Sequence, residues 1–158
     1  KWLGVAETVT DPAPEQTPYD FCPFSPYAEK AAFVSHFRLT AKSEVNLEAL
    51  ADDAAIIRLW RNADPQQAVF ESAKGIKINA AVTLEPGFYT VIVTVEDKGQ
   101  GAFGGLFTAY QSDGTVLRQT ENSPDWCVYR LSSETNLSEF LRSAAACQPC
   151  MTGEEAGP

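Results

Sequence analysis

The sequence predicts an all-β protein, an antiparallel β-sandwich or jelly roll with an extended Pro-rich N-terminal arm and one short C-terminal helix. Three observations predict this class: apolar and polar side chains alternate with a period of two in several segments, one segment is a run of β-branched residues, and turn residues separate the segments at regular intervals. No segment shows the strand–helix alternation of a parallel α/β fold. The 158 residues suffice for one domain, and no apolar run is long enough to cross a membrane.

The chain divides by composition into three predicted parts. Residues 1–30 form the arm, residues 31–134 the sandwich, and residues 135–158 a helix and tail. Prolines keep the arm from forming a helix or a central strand, because proline lacks the amide donor that both require. The arm also carries many aromatic side chains, so we expect it to lie against an apolar surface of its own domain or of a neighbour. The prolines are Pro12, Pro14, Pro18, Pro23 and Pro26.

Three segments at the start of the sandwich are predicted strands. In the first, Phe37 and Leu39 face inward and His36 lies on the polar face, as alternation with period two requires. A turn at Asp52–Asp53 is predicted to separate the second segment from the third. The segments are FVSHFRLTA (33–41), EVNLEALA (44–51) and AAIIRLWR (54–61), and the turn NADP (62–65) closes the third.

The second half of the sandwich contains the strongest strand prediction, PGFYTVIVTVED (86–97), a β-branched run that follows the turn pair Pro86–Gly87. Before it, a short strand is predicted around Ile76 and Ile78. A capping residue, Asn136, begins the one predicted helix. Three more strands are predicted, GLFTAYQ (105–111), TVLRQT (115–120) and WCVYRL (126–131), with the turn SDG (112–114) between the first two.

Gly99, Gly101 and Gly104 have the spacing of the dinucleotide-binding fingerprint G-x-G-x-x-G. The fingerprint binds a pyrophosphate only where the glycine turn opens a helix, whose N-terminal amides receive the phosphates. Here the glycines are followed by LFTAYQSDG, which alternates as a strand does and leads into another turn. We therefore predict a loop that joins two strands of one β-sandwich, with no nucleotide bound.

The order of these segments resembles the galactose-binding-like jelly-roll modules that are appended to many large glycoside hydrolases and surface proteins. The resemblance covers roughly residues 37–130 and departs from the family pattern at residues 62–64, where the family commonly has Asn-Gly. It implies a noncatalytic module, often carbohydrate-binding and often structural, and it carries over no ligand residues. The matching positions are Asp52 and Asp53, Leu84 to Tyr89, Gly104 to Leu106, Asp113 and Gly114, and Asp125 and Trp126.

The sequence offers no clear catalytic group. His36 is the one histidine, so a Ser-His-Asp or Cys-His arrangement would have to include it, and no nucleophile motif lies near it. Asp52 and Asp53 would point to opposite sides of an extended chain, which does not suit a glycosidase pair. We expect no enzymatic activity and no catalytic residue, with a hydrolase as the weakest alternative.

Four cysteines, Cys22, Cys127, Cys147 and Cys150, permit two disulfides in three pairings that the sequence does not distinguish. The spacing C-x-x-C at Cys147 and Cys150 also allows a redox motif or half of a zinc site. The first lacks its strand–helix–strand context and the second lacks a second C-x-x-C. We expect disulfides that fasten the arm and tail to the sandwich or to a neighbouring subunit.

Ligand binding, if present, is predicted at Trp60, which lies near Arg58 and Asp64 and offers an aromatic ring with polar neighbours. Trp60 and Trp126 are equally of the type that fills a core. No cofactor or metal site is expected, although loop carboxylates leave a structural calcium ion as an open alternative. The net charge of −9 disfavours nucleic acid as a partner, since phosphate binding requires an excess of basic residues.

Two functions follow as hypotheses. In the first, the sandwich is a structural subunit of an extracellular or virion assembly, and residues 1–27 and the C-terminal tail contact neighbouring protein subunits. In the second, it is a recognition module that binds carbohydrate. Both place the chain outside the cell or on a virion surface, without insertion into a membrane.

Overall fold

The computed structural model describes residues 3–5, 30–62, 64–96, 103–120, 126–131 and 138–139. It confirms the all-β class, because the described part is one continuous network of antiparallel strands. The strands are β1 (Leu3–Val5), β2 (Lys30–Leu39), β3 (Ser43–Arg61), β4 (Asp64–Glu71), β5 (Gly75–Leu84), β6 (Gly87–Glu96), β7 (Phe103–Gln111), β8 (Val116–Gln119) and β9 (Cys127–Leu131).

The network folds into two layers, and the strand β3 belongs to both of them. The N-terminal half of β3 pairs with β5 and β7, whereas its C-terminal half pairs with β4 and β6. The change of partner falls between Asp52, which pairs with Gly104, and Ala54, which pairs with Glu96. The predicted turn at Asp52–Asp53 is therefore wrong. A continuous strand keeps the backbone hydrogen-bonded on both sides of the change, which a turn would not do.

The first layer has the strand order β4–β3–β6–β2–β9, and the second has the order β5–β3–β7, with β1 and β8 along the far side of β7. The inward side chains of both layers form one hydrophobic core. Across this core Trp126, fully buried, meets Phe107 edge to face with ring centroids 5.7 Å apart. Arg118 of β8 donates from Nε to the carbonyl oxygen of His36 at 2.7 Å, which brings β8 against β2 and almost closes a barrel.

The two layers differ on their outer faces. In the first layer every residue of β6 from Tyr89 to Val95 is buried, so both faces of this layer are covered. In the second layer β5 alternates between buried and exposed residues from Lys77 onward, as a strand with one solvated face does. We call the solvated outer side of β5, β7 and the N-terminal half of β3 the open face.

The turn chemistry follows the sequence. Gly87, the first residue of β6, has a φ of 149°, and Tyr89 donates its hydroxyl to the carbonyl oxygen of Glu85 at 2.6 Å across this turn. Gly114 has a φ of 89° in the hairpin between β7 and β8, which confirms the predicted turn SDG. The glycine-rich segment ends in a strand and not in a helix, as expected, but the strand begins earlier than predicted, because β7 starts at Phe103 and contains Gly104 and Gly105. Gly99 and Gly101 lie outside the described residues.

One strand is longer than the sequence predicts, and another was not predicted. The segment around Ile76 and Ile78 is a full ten-residue strand, β5, and the stretch DPQQAVFE forms β4, which the sequence did not predict. Both strands pair along the same side of β3, so that β3 and the run β4–β5 form one long hairpin around the turn at Asn62. The alternation within each segment is too short to predict these strands, and their pairing with β3 is what keeps them extended.

Most of the arm and of the C-terminal helix and tail lie outside the described residues. Of the arm, Leu3–Val5 pair with Phe103–Gly105 as strand β1. Of the helix, Ser138 and Glu139 have helical backbone conformation. The boundaries of the three parts at residues 30 and 134 stay predictions. Within the described ranges, no helix has the length and apolar character needed to cross a bilayer.

Candidate functional site: a cleft on the open face

Cross-strand register arranges the outward side chains of the open face in rows. The register between β5, β3 and β7 fixes which residues stand opposite one another. Because directly opposed residues on neighbouring strands are only about 5 Å apart, each row brings three side chains together. The row nearest the change of layer is Lys77, Leu50 and Leu106, and the next row is Asn79, Glu48 and Thr108.

A cleft of about 400 Å³ lies over these two rows. We define the cleft by their six residues, between which Ala49, Ile78 and Phe107 complete the lining. Leu50 is 42% exposed and stands beside Leu106, so the first row offers an apolar surface to the solvent. The second row offers polar groups at the side of this surface. The volume lies within the range of small-molecule sites.

The polar groups of the cleft supply both donors and acceptors. Glu48 accepts a hydrogen bond at Oε1 from the Tyr110 hydroxyl at 2.9 Å, and this bond raises the pKa of Tyr110 above its usual value. In the described part of the chain, no carboxylate lies within ion-pair distance of the Lys77 ammonium. Lys77 donates, Glu48 accepts, and the Asn79 amide can do both. The cleft can therefore hold a ligand that carries several hydroxyl groups.

The structure places the sequence-predicted ligand residues elsewhere, in the first layer. Trp60 is 4% exposed and Arg58 is 8% exposed. Arg58 donates from Nε to Glu71 Oε2 at 2.7 Å and from Nη1 to Thr94 Oγ1 at 3.1 Å, so its guanidinium is engaged inside the protein. Asp64 is exposed, and its Oδ1 accepts from the Gln66 amide at 3.2 Å. The three residues do not line the cleft, and ligand binding at them stays a prediction.

His36 is buried, although the alternation of β2 placed it on a polar face. Its Nδ1 lies 3.0 Å from the Thr90 hydroxyl, which itself donates to Asn62 Oδ1 at 2.7 Å. Because the hydroxyl proton is directed to Asn62, Thr90 accepts from His36, so the proton of the neutral ring sits on Nδ1. Nε2 is buried and has no hydrogen-bond partner among the described residues. Within the part of the chain that the structure describes, His36 has no bonded carboxylate to orient it and no bonded nucleophile other than Thr90, which is buried.

Burial, followed by the charge of Arg118, lowers the pKa of His36 from 6.5 to about 4. A buried imidazolium would also have to carry a proton on Nε2, where the described residues provide no acceptor. His36 is therefore neutral at neutral pH. Its role in the structure is the bond to Thr90 in the outer face of the first layer.

The remaining sequence-predicted sites are mostly outside the described residues. Cys22, Cys147 and Cys150 lie outside them, and the side chain of Cys127 in β9 is not described, so the disulfides stay a prediction. Within the described ranges no three His, Cys, Asp or Glu side chains are grouped so that they could hold a metal ion. A structural calcium ion also stays a prediction.

Sequence reasoning missed the cleft residues. The alternation in EVNLEALA places Val45 and Leu47 inward, and the same alternation places Glu48 and Leu50 outward. A leucine at an outward position of an amphipathic strand was the available signal. Its meaning depends on the neighbours Lys77 and Leu106, which only the strand register identifies.

No protein-family model matches the chain, and no curated protein matches it. Among solved structures, a pre-peptidase C-terminal domain of a collagenase from Bacillus anthracis aligns at 22% identity over 47% of this chain and 73% of that domain, with a TM-score of 0.39. The epithelial adhesin 9 A domain from Candida glabrata, solved in complex with Galβ1-3GlcNAc, aligns at 11% identity over 66% of this chain, with a TM-score of 0.41. The chain spans 53% of the adhesin domain's length. The all-β architecture that the predicted resemblance implies is confirmed by the strand network of the chain itself.

Proposed function

We propose that this chain is a noncatalytic recognition domain that binds carbohydrate in the cleft of the open face, outside the cell. The observation that carries the proposal is the arrangement of the cleft. Two leucines form an apolar surface beside the carboxylate of Glu48 and the ammonium of Lys77, which has no ion-pair partner among the described residues. These groups belong to three hydrogen-bonded strands, so their positions are fixed before a ligand arrives.

Saccharides suit such a surface. A sugar ring has C–H groups that pack on an apolar surface and hydroxyl groups that donate and accept hydrogen bonds around its edge. The cleft presents Leu50 and Leu106 in one row and Glu48, Asn79 and Thr108 in the next, so both kinds of contact are within reach of one ring. Because Lys77 and Glu48 carry opposite charges, we expect a neutral sugar to be preferred to an acidic one.

A glycan array followed by calorimetry with the strongest neutral oligosaccharide tests the proposal. We expect Lys77→Ala and Asn79→Ala each to weaken binding at least about tenfold, which corresponds to 1.4 kcal/mol. Thr83→Ala is the matched control, since Thr83 is exposed on the same strand and lies outside the cleft. The proposal is wrong if no oligosaccharide binds or if the cleft variants bind as the wild type does. Loss of binding in Asp64→Ala would instead support the sequence-predicted site at Trp60.

A second candidate function is that of a structural subunit in an extracellular or virion assembly. The proposed contacts through residues 1–27 and the C-terminal tail fall mainly outside the described residues, and they remain part of this proposal. The observation that favours assembly is the edge formed by β4 and β5, with whose outer side no strand in the described ranges pairs. A native mass that exceeds that of one chain, and falls when residues 1–27 are removed, would support the arm contacts. An unchanged monomer mass would exclude them.

A further inference from the structure

The outer face of the first layer is buried, although no described element lies over it. On β2 and β6 the residues that alternate with the core cluster point outward, and those from Ala32 to His36 and from Thr90 to Thr94 are at most 4% exposed. The described strands all belong to the two layers, and the second layer lies on the inner side of the first. We call the outward side of β2, β6 and the C-terminal half of β3 the covered face. Because this burial arises within a single chain, the cover comes from residues of that chain outside the described ranges.

The covered area has the dimensions of one short helix. On β2 the outward residues are buried from Ala32 to His36, a length of about 13 Å, and the next outward residue, Arg38, is exposed. Across the strands the burial extends from β2 over β6 to Arg58 and Trp60 of β3, a width of about 10 Å. An α-helix with its side chains is about 10–12 Å wide. One helix laid along β6 therefore covers the area.

The polar side chains of the covered face bond to one another. The Thr90 hydroxyl bonds to His36 and Asn62, and Arg58 bonds to Thr94. These bonds engage the polar groups within the face itself. An extended segment laid over the face would bury backbone N–H and C=O groups without partners, whereas a helix bonds its own backbone groups internally. The covered face therefore suits an amphipathic helix better than an extended chain.

The chain after β9 contains the one predicted helix, residues 137–147, and this helix has an apolar side. Ser138 and Glu139 have helical conformation, and both are exposed. With 3.6 residues per turn, the opposite side of the same helix carries an apolar stripe. The apolar stripe consists of Leu137, Phe140, Leu141 and Ala144. At a rise of about 1.5 Å per residue the helix is about 16 Å long, which matches the length of the covered area.

The connection from β9 reaches the correct end of the covered face. β9 ends at Leu131, which pairs with Lys30, and Lys30 pairs with Glu96 at the end of β6. The chain from Leu131 to Leu137 can span up to about 20 Å. β6, the middle strand of the covered face, lies two strand spacings, or about 10 Å, from β9. A helix that starts there and runs toward His36 lies over the buried residues.

We propose that the C-terminal helix, residues 137–147, docks on the covered face of its own chain, with the apolar stripe against Val34 and Ile92. The helix then forms a third layer of the same domain, and the predicted boundary at residue 134 falls inside one folding unit. Of the C-terminal part, only the tail beyond Cys147 remains available to contact a neighbouring subunit. The docking does not depend on carbohydrate binding, because the cleft lies on the second layer.

Methyl NOE spectroscopy on the full-length protein tests the docking without any substitution. We expect NOEs from the methyl groups of Leu137 or Leu141 to those of Val34 and Ile92, because packed apolar groups lie within about 4–5 Å of each other. A sample that mixes labelled and unlabelled copies distinguishes a helix of the same chain from a helix of a second chain. The proposal is overturned if Val34 and Ile92 show no NOE to the helix, whether or not they contact the arm. NOEs that arise only between two chains also overturn it.

Native-state proteolysis measures how strongly the apolar stripe holds the helix. Trypsin cleaves after Arg142, in the middle of the helix, and a docked helix must detach before it is cut. We expect Leu141→Gln to increase the rate of this cleavage at least about tenfold, because it places an amide against an apolar surface. Ser138→Gln is the matched control, since it places the same side chain on the exposed side and should change the rate by no more than about twofold. Equal rates in the two variants contradict the proposal, and the NOE measurement decides it if Leu141→Gln does not fold.

Discussion

The two layers of the sandwich differ in how far their outer faces are exposed to the solvent. In the first layer, the strand β6 is buried on both sides along Tyr89–Val95, and its outer face includes polar side chains. In the second layer, the open face leaves Leu50 and the polar groups of the cleft in contact with water. Both layers contain part of the same strand, β3. Within its 19 residues, β3 therefore passes from a layer with one solvated face to a layer that is buried on both faces.

The two outer faces therefore differ in the free-energy cost of a polar side chain that has no hydrogen-bond partner in the protein. On the outer face of the first layer Arg58 and His36 are buried, so each must find partners within the protein or lower the stability of the fold. Arg58 has Glu71 and Thr94, whereas the described residues give His36 a partner, Thr90, at Nδ1 and none at Nε2. On the open face water serves the polar groups that lack a protein partner. The outer face of the first layer thus depends on partners inside the protein, whereas the open face leaves its polar groups accessible to the solvent.

The largest expected contrast between the layers comes from apolar truncations on their outer faces. Ile92→Ala removes a fully buried side chain and should lower the free energy of unfolding by about 2–5 kcal/mol. Leu50→Ala, on the open face, should change it by no more than about 0.5 kcal/mol. Urea unfolding of both variants gives the comparison. Equal losses would show that the two outer faces do not differ as described.

The next effect is the pH dependence that His36 confers. Its pKa is near 6.5 in the unfolded chain and about 4 in the folded one, so between these pH values the unfolded state binds the additional proton. His36 therefore contributes stability above pH 6.5, and about 3 kcal/mol is lost as the pH falls from 6.5 to 4. The variant His36→Asn keeps a donor near Nδ1 but does not titrate. Its unfolding free energy should fall less over this range, whereas parallel pH profiles would contradict the prediction.

A smaller effect is expected from the ion pair of the first layer. Glu71→Gln leaves the Arg58 guanidinium, whose side chain is nearly buried, without its carboxylate and should cost about 1–3 kcal/mol. The matched control is Glu85→Gln, which breaks the exposed pair with Lys42 and should cost less than about 1 kcal/mol. Chemical denaturation measures both. Similar losses in the two variants would mean that burial does not strengthen the Arg58–Glu71 contact.

The smallest effect is expected on the open face itself. Tyr110→Phe removes the hydroxyl that bonds to Glu48, and water can replace it at this exposed position. We expect an unchanged melting temperature together with a change in sugar affinity, because Glu48 then has both carboxylate oxygens free for a ligand. A lowered melting temperature would show that the bond supports the fold and that the two layers are more alike than proposed.

Local signals in the sequence predicted most of the strands and turns. The β-branched run is β6, the turn SDG is the β7–β8 hairpin, and the glycine-rich segment ends within a strand, β7, and not in a helix. Each of these signals lies within a few neighbouring residues, where the conformational preference of the backbone decides whether a strand or a turn forms. The turn at Asp52–Asp53 failed because pairing with β7 and β6 keeps β3 extended through these residues.

The candidate site could not be predicted in the same way. An aromatic and a basic residue near a turn predict a site at Trp60 and Arg58, but both residues are buried, and burial depends on all the segments that cover the strand. The cleft combines Glu48, Lys77 and Leu106 from three strands, and no local pattern states which residues of distant strands stand opposite one another.

By itself, then, the sequence determined the all-β class, the alternation within strands and the positions of the glycine turns, because these depend on local backbone preference and side-chain periodicity. The tertiary structure decided which outer face is covered, where β3 passes from one layer to the other, and which side chains meet in the cleft. These depend on strand register and on packing between segments far apart in the chain. Alternation shows that a strand has two faces, but only the packing of layers determines which of them meets water.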